Sequence, residues 1–173
     1  MEDILEQAEG YQRHALHMGY GHYTAGRQAT RKHVVLGLPV VVLTAIVGTS
    51  IFATLSDNPA VPWKIITGLV SLSATVLAAL QTFFGFSEHA EKHKLAGARY
   101  GALRRDIELF ALKYRNADQS HRDQALAELE ALTKRLSQLA GDSPDLPDEL
   151  YDQAVRRFRE KSETAERVRG TDR

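Results

Sequence analysis

The chain has 173 residues, no cysteine, 22 basic and 22 acidic side chains and a pI near 7.1. One domain with short extensions fits that length, disulfides and thiolate metal sites are excluded, and zero net charge gives no global pull toward nucleic acid. The mean hydropathy of −0.30 suggests a soluble protein, but the average hides two apolar blocks between charged ends.

Residues 3 to about 32 predict a helix, since Ile4, Leu5, Ala8, Tyr11, Ala15 and Met18 recur at helical spacing. Gly19 and Gly21 predict a break in it. Glu2, Asp3, Glu6 and Glu9 stand where a signal peptide would be basic, so no cleaved leader is expected. Tyr20 and Tyr23 fit either headgroup-level anchoring or ordinary packing.

Val34 to Leu55 is 22 residues without Asp, Glu, Lys, Arg or His, and Ile65 to Ser87 is 23. At about 1.5 Å per residue each reaches roughly 33–35 Å, enough to cross a hydrocarbon core of about 30 Å. Each is therefore expected to span a membrane. Pro39 is placed in the first turn of the first span, where its missing N–H costs little. Residues 56–64 form the expected loop, with Pro59 and Pro62 stopping helix propagation and Trp63 at the interface. Arg27, Arg31 and Lys32 precede the hairpin and Lys92, Lys94 and Arg99 follow it, which predicts both termini on the cytoplasmic side. A soluble two-helix core is the competing reading of the same segments.

At 100° per residue, Thr67, Ser71, Ala74, Thr75, Ala78, Gln81, Thr82 and Gly85 share about 120° of the second span. Leu, Ile, Val and Phe fill most of the rest. Such a small, hydroxylated face either packs closely on another helix or lines a narrow aqueous path in an oligomer. Hydroxyls alone do not decide, because Ser and Thr can bond their own helix carbonyls. Gln81 weighs toward a polar environment, since a buried amide needs partners. Gly37, Thr44 and Gly48 give the first span a matching contact face. Neither span holds a charge, which speaks against a proton pump or coupled transporter.

His89 to about Ala117 continues as an amphipathic helix, expected to run straight on from the second span. Residues 116–120 form a turn, with Asp118 or Ser120 as cap. In the next helix Leu126, Leu129, Leu132, Leu136 and Leu139 make a one-sided stripe, suited to a neighbouring helix or to an oligomer seam. Gly141 to Pro147 is a linker. A last helix, capped by Asp148, carries Tyr151, Ala154, Val155 and Phe158 on one face. From Arg156 to Arg173 seven basic and four acidic residues leave the rest of it solvated. His89 and His93 share a face without a zinc-protease pattern or a third ligand, and His14 and His17 read as structural. No phosphate loop or nucleophile elbow occurs, so neither an enzyme nor a cofactor is expected.

The order of motifs resembles one family. A Leu36-Gly37-Leu38-Pro39 opening leads the first span, and Gly48-Thr49-Ser50 closes it. Leu77-Ala78-Ala79-Leu80-Gln81-Thr82-Phe83-Phe84 follows in the second. Then come Glu88, His93, Ala96, Tyr100 and Leu103, and a tail with Ser143-Pro144-Asp145-Leu146-Pro147 before Tyr151. Over about residues 10–160 this is similar to the SLATT family, the SMODS- and SLOG-associating two-transmembrane effector domains. The resemblance implies an all-α membrane effector of bacterial conflict systems, in the cell membrane. It would be homo-oligomeric, pore-forming or membrane-disrupting, and paired with a nucleotide-signal synthase, a sensor or another partner protein. Glu88, His93 and Tyr100 match the family's juxtamembrane motif, with helix registration between protomers as the role inferred for them. A membrane-anchored scaffold recruiting a cytosolic partner is the alternative function.

Overall fold

The computed structural model describes residues 1–54 and 61–171. Every regular element among them is helical: α1 (Glu2–Thr54), α2 (Val61–Phe84), α3 (Phe86–Tyr114), α4 (Arg122–Asp142) and α5 (Asp148–Thr171), with a 3₁₀ turn at Gln119–His121 before α4. The chain divides into two compact units. One comprises residues 1–26 and 91–173, the other residues 27–90.

The first unit is built on three amphipathic faces. Ile4, Ala8 and Ala15 of α1 meet Tyr100, Leu103, Ile107, Phe110 and Tyr114 of α3 and Ala125, Leu129, Leu132 and Leu136 of α4 in one core. The leucine stripe of α4 is thus consumed within the chain. Leu139 packs at the margin of the core, while Leu126 lies outside it. α5 lies on α1: the Tyr151 ring meets His14 and His17, and the Phe158 ring meets His17 and Tyr20. His14 and His17 are therefore structural, burial holding both below the ordinary imidazole value. Tyr20 is a packing residue, with the Arg157 guanidinium over its ring.

α1 does not break at Gly19 or Gly21. The glycines serve packing instead. A Cβ on Gly97 of α3 would lie 3.1 Å from the Gly19 carbonyl oxygen and 3.1 Å from the Tyr23 ring. The approach depends on Gly97, since a Cβ there would be crowded, while one on Gly19 would sit in ordinary contact at 3.5 Å. Tertiary contact outweighs a propensity cost of about 1 kcal/mol per glycine. Charged pairs fasten the rim. Arg122 reaches Asp3 through two bonds of 3.0 and 2.6 Å, Arg135 sits 2.8 Å from Asp106, and Lys113 sits 2.6 Å from Glu128. Asp118 caps the turn before α4, accepting from the Ser120 amide at 3.1 Å. Asp148 is not a cap: it stands in the first turn of α5, and the Pro147 carbonyl accepts the first helical bonds.

The second unit holds the two apolar blocks. The first belongs to α1, which passes through Pro39 in its interior rather than at its start. The second is α2, whose first turn already contains Pro62, Trp63 and Lys64, three residues expected in the loop. Leu55, the expected end of the first span, and residues 56–60 of the expected loop lie outside the described residues. α2 does not run straight into α3. Gly85, with φ +53°, interrupts it in a left-handed conformation that a side chain would strain. The Gly85 amide closes a tight turn on the Thr82 carbonyl at 3.3 Å, and α3 restarts with the His89 amide on the Gly85 carbonyl at 3.0 Å.

Candidate functional site

The apolar blocks are inside out relative to a soluble core. Both helices are long and apolar enough to cross a membrane, yet the most apolar stretch of the first is 0% buried and that of the second 6%. Val35, Leu38, Val41, Leu69, Leu72 and Phe83 are all exposed, Phe83 by 82%. A soluble protein buries such a helix; two unburied ones form an apolar belt that suits hydrocarbon. The competing soluble-core reading would require these residues to be covered, and they are not.

Within the belt the two small faces meet. Val40, Thr44 and Val47 of α1 and Ser71, Ala74, Thr75 and Ala78 of α2 line one groove of about 290 Å³. Ala74 is buried at its floor. Gln81 reaches across the hairpin: its amide nitrogen lies 3.2 Å from His33 Nδ1 and packs directly over Gly37, where a Cβ would come within 2.8 Å of it. Gln81 therefore has a partner inside the same chain, and Gly37 is the space it occupies. Gly48 has open space around it, Thr67 is half-buried and Thr82 is exposed. Gly85 is the interruption between α2 and α3 described above.

The hydroxyls satisfy themselves locally. Thr75 donates to the Ser71 carbonyl at 2.9 Å, Thr82 to the Ala78 carbonyl at 3.1 Å, Ser73 to the Leu69 carbonyl at 2.9 Å, and Thr44 to the Val40 carbonyl. Each hydroxyl oxygen retains lone pairs after donating. The face thus tolerates hydrocarbon or protein contact and can still accept hydrogen bonds from water.

In the first unit, His93 and Tyr100 of the juxtamembrane run join a residue that sequence spacing did not single out. His22 Nδ1 lies 3.0 Å from His93 Nδ1, and the His22 ring stacks on Tyr100 with centroids 5.5 Å apart. One Nδ1 must donate and the other accept, so the pair is joined while at least one ring is neutral. His22 is fully buried, and its Nε2 and the Tyr100 hydroxyl have no hydrogen-bond partner among the described residues. Burial, reinforced by the charge His93 can carry, pushes His22 down to about 4. Burial likewise raises the Tyr100 hydroxyl, opposed by the nearby Ser143. The cluster joins α1 to α3 within one chain, beside the close approach of Gly19 and Gly97. The signal for His22 was present: Ala8, Ala15, Gly19, His22 and Ala25 continue one stripe of small, buried residues on α1. Glu88 stands exposed in the first turn of α3, where a carboxylate is favoured by the helix dipole.

These features define a class: an all-helical protein with two adjacent candidate membrane spans and a charged helical unit built from the segments on either side of them. Residues 13–167 match the family described as SMODS and SLOG-associating 2TM effector domain family 4, and the chain belongs to that family. The two unburied apolar helices agree with the two transmembrane segments in that description. No curated protein and no solved structure matches the chain.

Proposed function

We propose that this protein is a bacterial membrane effector that oligomerises and, on a signal from a nucleotide-linked partner, makes the cell membrane permeable. Both termini face the cytoplasm, as the basic flanks at Arg27, Arg31, Lys32, Lys92 and Lys94 favour. The observation that carries the reading is the groove between the spans. Thr44, Ser71 and Thr75 bring three hydroxyls to a concave surface inside an otherwise apolar belt. An inert anchor has no use for that surface. In an assembly of several copies, grooves of this kind line a path for water and small ions when the spans part.

The scaffold reading is weaker than the sequence suggested. The stripe from Leu129 to Leu136 that would recruit a partner is buried in the core of its own unit. Conductance in liposomes separates the two. Ser71→Leu and Thr75→Leu are expected to reduce triggered ion flux at least tenfold, while Leu69→Ile on the opposite face leaves it unchanged. Undiminished flux in both leucine variants contradicts a wet groove. Cellular activity that survives replacement of both spans by polyleucine contradicts a pore and supports the scaffold.

A further inference from the structure

A second concave surface lies in the first unit, between α3 and α4. It consists of two adjoining cavities of about 260 and 340 Å³ that share Arg99 and Asp142. Its chemistry is mixed in an informative way. Arg99, Arg135 and Asp142 line one part, and Lys92, Arg99 and Asp142 line the other, so basic side chains outnumber the acidic one in the lining. The walls between them are apolar, from Leu95, Ala102, Leu103, Leu139 and Pro144. Arg135 gives one nitrogen to Asp106 at 2.8 Å, and a guanidinium keeps further N–H donors after one such bond. Arginine forks match phosphate oxygens in pairs. An apolar wall suits a flat or greasy moiety, and a lone carboxylate suits a group with N–H or O–H to donate. Together the two cavities fall in the size range of small-molecule sites, about 300–1,000 Å³.

We propose that the α3–α4 groove binds a phosphorylated small molecule of nucleotide size, with its phosphate on Arg99 and Arg135 and its donor hydrogens on Asp142. As the trigger site of the effector this rests on the function proposed above; as a binding site it stands without it. The phosphate can belong to a free nucleotide or to an anionic lipid headgroup, since both present the oxygens that arginine forks match.

The test uses the full chain in phosphatidylcholine nanodiscs, titrated with ATP and with inorganic pyrophosphate by calorimetry, so that binding is read without any conductance. Arg99→Glu is expected to weaken both ligands at least tenfold, Arg99→Lys by a few-fold, and Arg159→Glu on α5 not at all. Asp142→Asn is expected to act in opposite directions. It tightens pyrophosphate severalfold by removing a like charge, and it weakens ATP relative to pyrophosphate by replacing a charged two-oxygen acceptor with a single neutral amide oxygen. A gain in one ligand cannot come from misfolding. A parallel set of nanodiscs with one fifth phosphatidylglycerol, without ATP, reads the lipid source as a rise in melting temperature abolished by Arg99→Glu. A response there and none to ATP assigns the groove to lipid phosphate. The absence of any Arg99-dependent response to ATP, pyrophosphate or phosphatidylglycerol overturns the proposal. So does an equal loss in Arg159→Glu, which would mark the binding as unspecific charge attraction.

Discussion

α1 obeys opposite rules in its two halves. Up to Gly26 its apolar residues point inward: Ile4, Ala8 and Ala15 are buried in a shared core, and charged residues such as Glu9 and Arg13 face out. Beyond Arg27 its large apolar residues Val34, Val35, Leu38 and Val41 face out, while glycine and threonine face α2. The same contrast separates α3 from α2. The side of the helix on which bulk is placed thus differs between its two halves, as water on one side and hydrocarbon on the other would require. In water, burying apolar area drives assembly; in hydrocarbon, it gives no advantage, and close contact between small residues takes over.

The contrast is broken most forcefully by one charge on the outward face of α2. Leu72→Arg on a soluble surface would alter stability by about 0.5 kcal/mol or less. At the centre of a span it is expected to cost about 2.5–3.5 kcal/mol and to drop membrane-inserted protein severalfold, as read by fractionation. The matching change Glu9→Arg, on an exposed position of the first unit, is expected to leave insertion intact.

The next effect sharpens the comparison on the water side. Gly97→Leu forces a side chain against the Gly19 carbonyl and the Tyr23 ring, and is expected to destabilise the first unit by about 3 kcal/mol, with Gly97→Ala costing about 1 kcal/mol. Thermal unfolding of the detergent-solubilised chain measures both. The same substitution at Gly48, which has open space around it, is expected to be tolerated.

His22 gives a pH dependence with a definite sign. Its value falls from an ordinary 6.5 to about 4 in the folded chain, so the unfolded state binds the proton more readily. Stability is then full above about pH 6.5, declines as pH falls through that window, and levels off below about pH 4. The total is about 2 kcal/mol after allowance for solvent screening. His22→Phe removes the most strongly shifted ring and is expected to reduce the slope of melting temperature between those limits, leaving the smaller part that His14 and His17 contribute. An unchanged slope in that variant would place the titration elsewhere. The smallest effect is expected for Gly21→Ala. The new methyl meets only the flexible end of Leu146, and the gain in helix propensity offsets the crowding to within about 0.5 kcal/mol.

The all-helical class, the two long apolar segments and most of the α4 stripe were legible, because each depends on residue size and helical period alone. Three things were not. The continuity of α1 through Gly19 and Gly21 depends on α3 lying against it, which periodicity within one helix does not contain. The interruption at Gly85 looked like one more small residue on a face, since glycine's lack of a side chain serves both close packing and a positive φ. The His22–His93 pair joins residues 71 positions apart, and only the stripe of small residues on α1 marked His22 as inward.

Single cysteines in a chain that has none test the central claim directly. Trp63→Cys is expected to react with a membrane-impermeant maleimide added outside intact spheroplasts. Glu9→Cys and Glu160→Cys are expected to react only after lysis, with all three variants remaining in the membrane pellet at alkaline pH. Labelling of all three positions from one side, or release of the protein into the soluble fraction, would contradict the account.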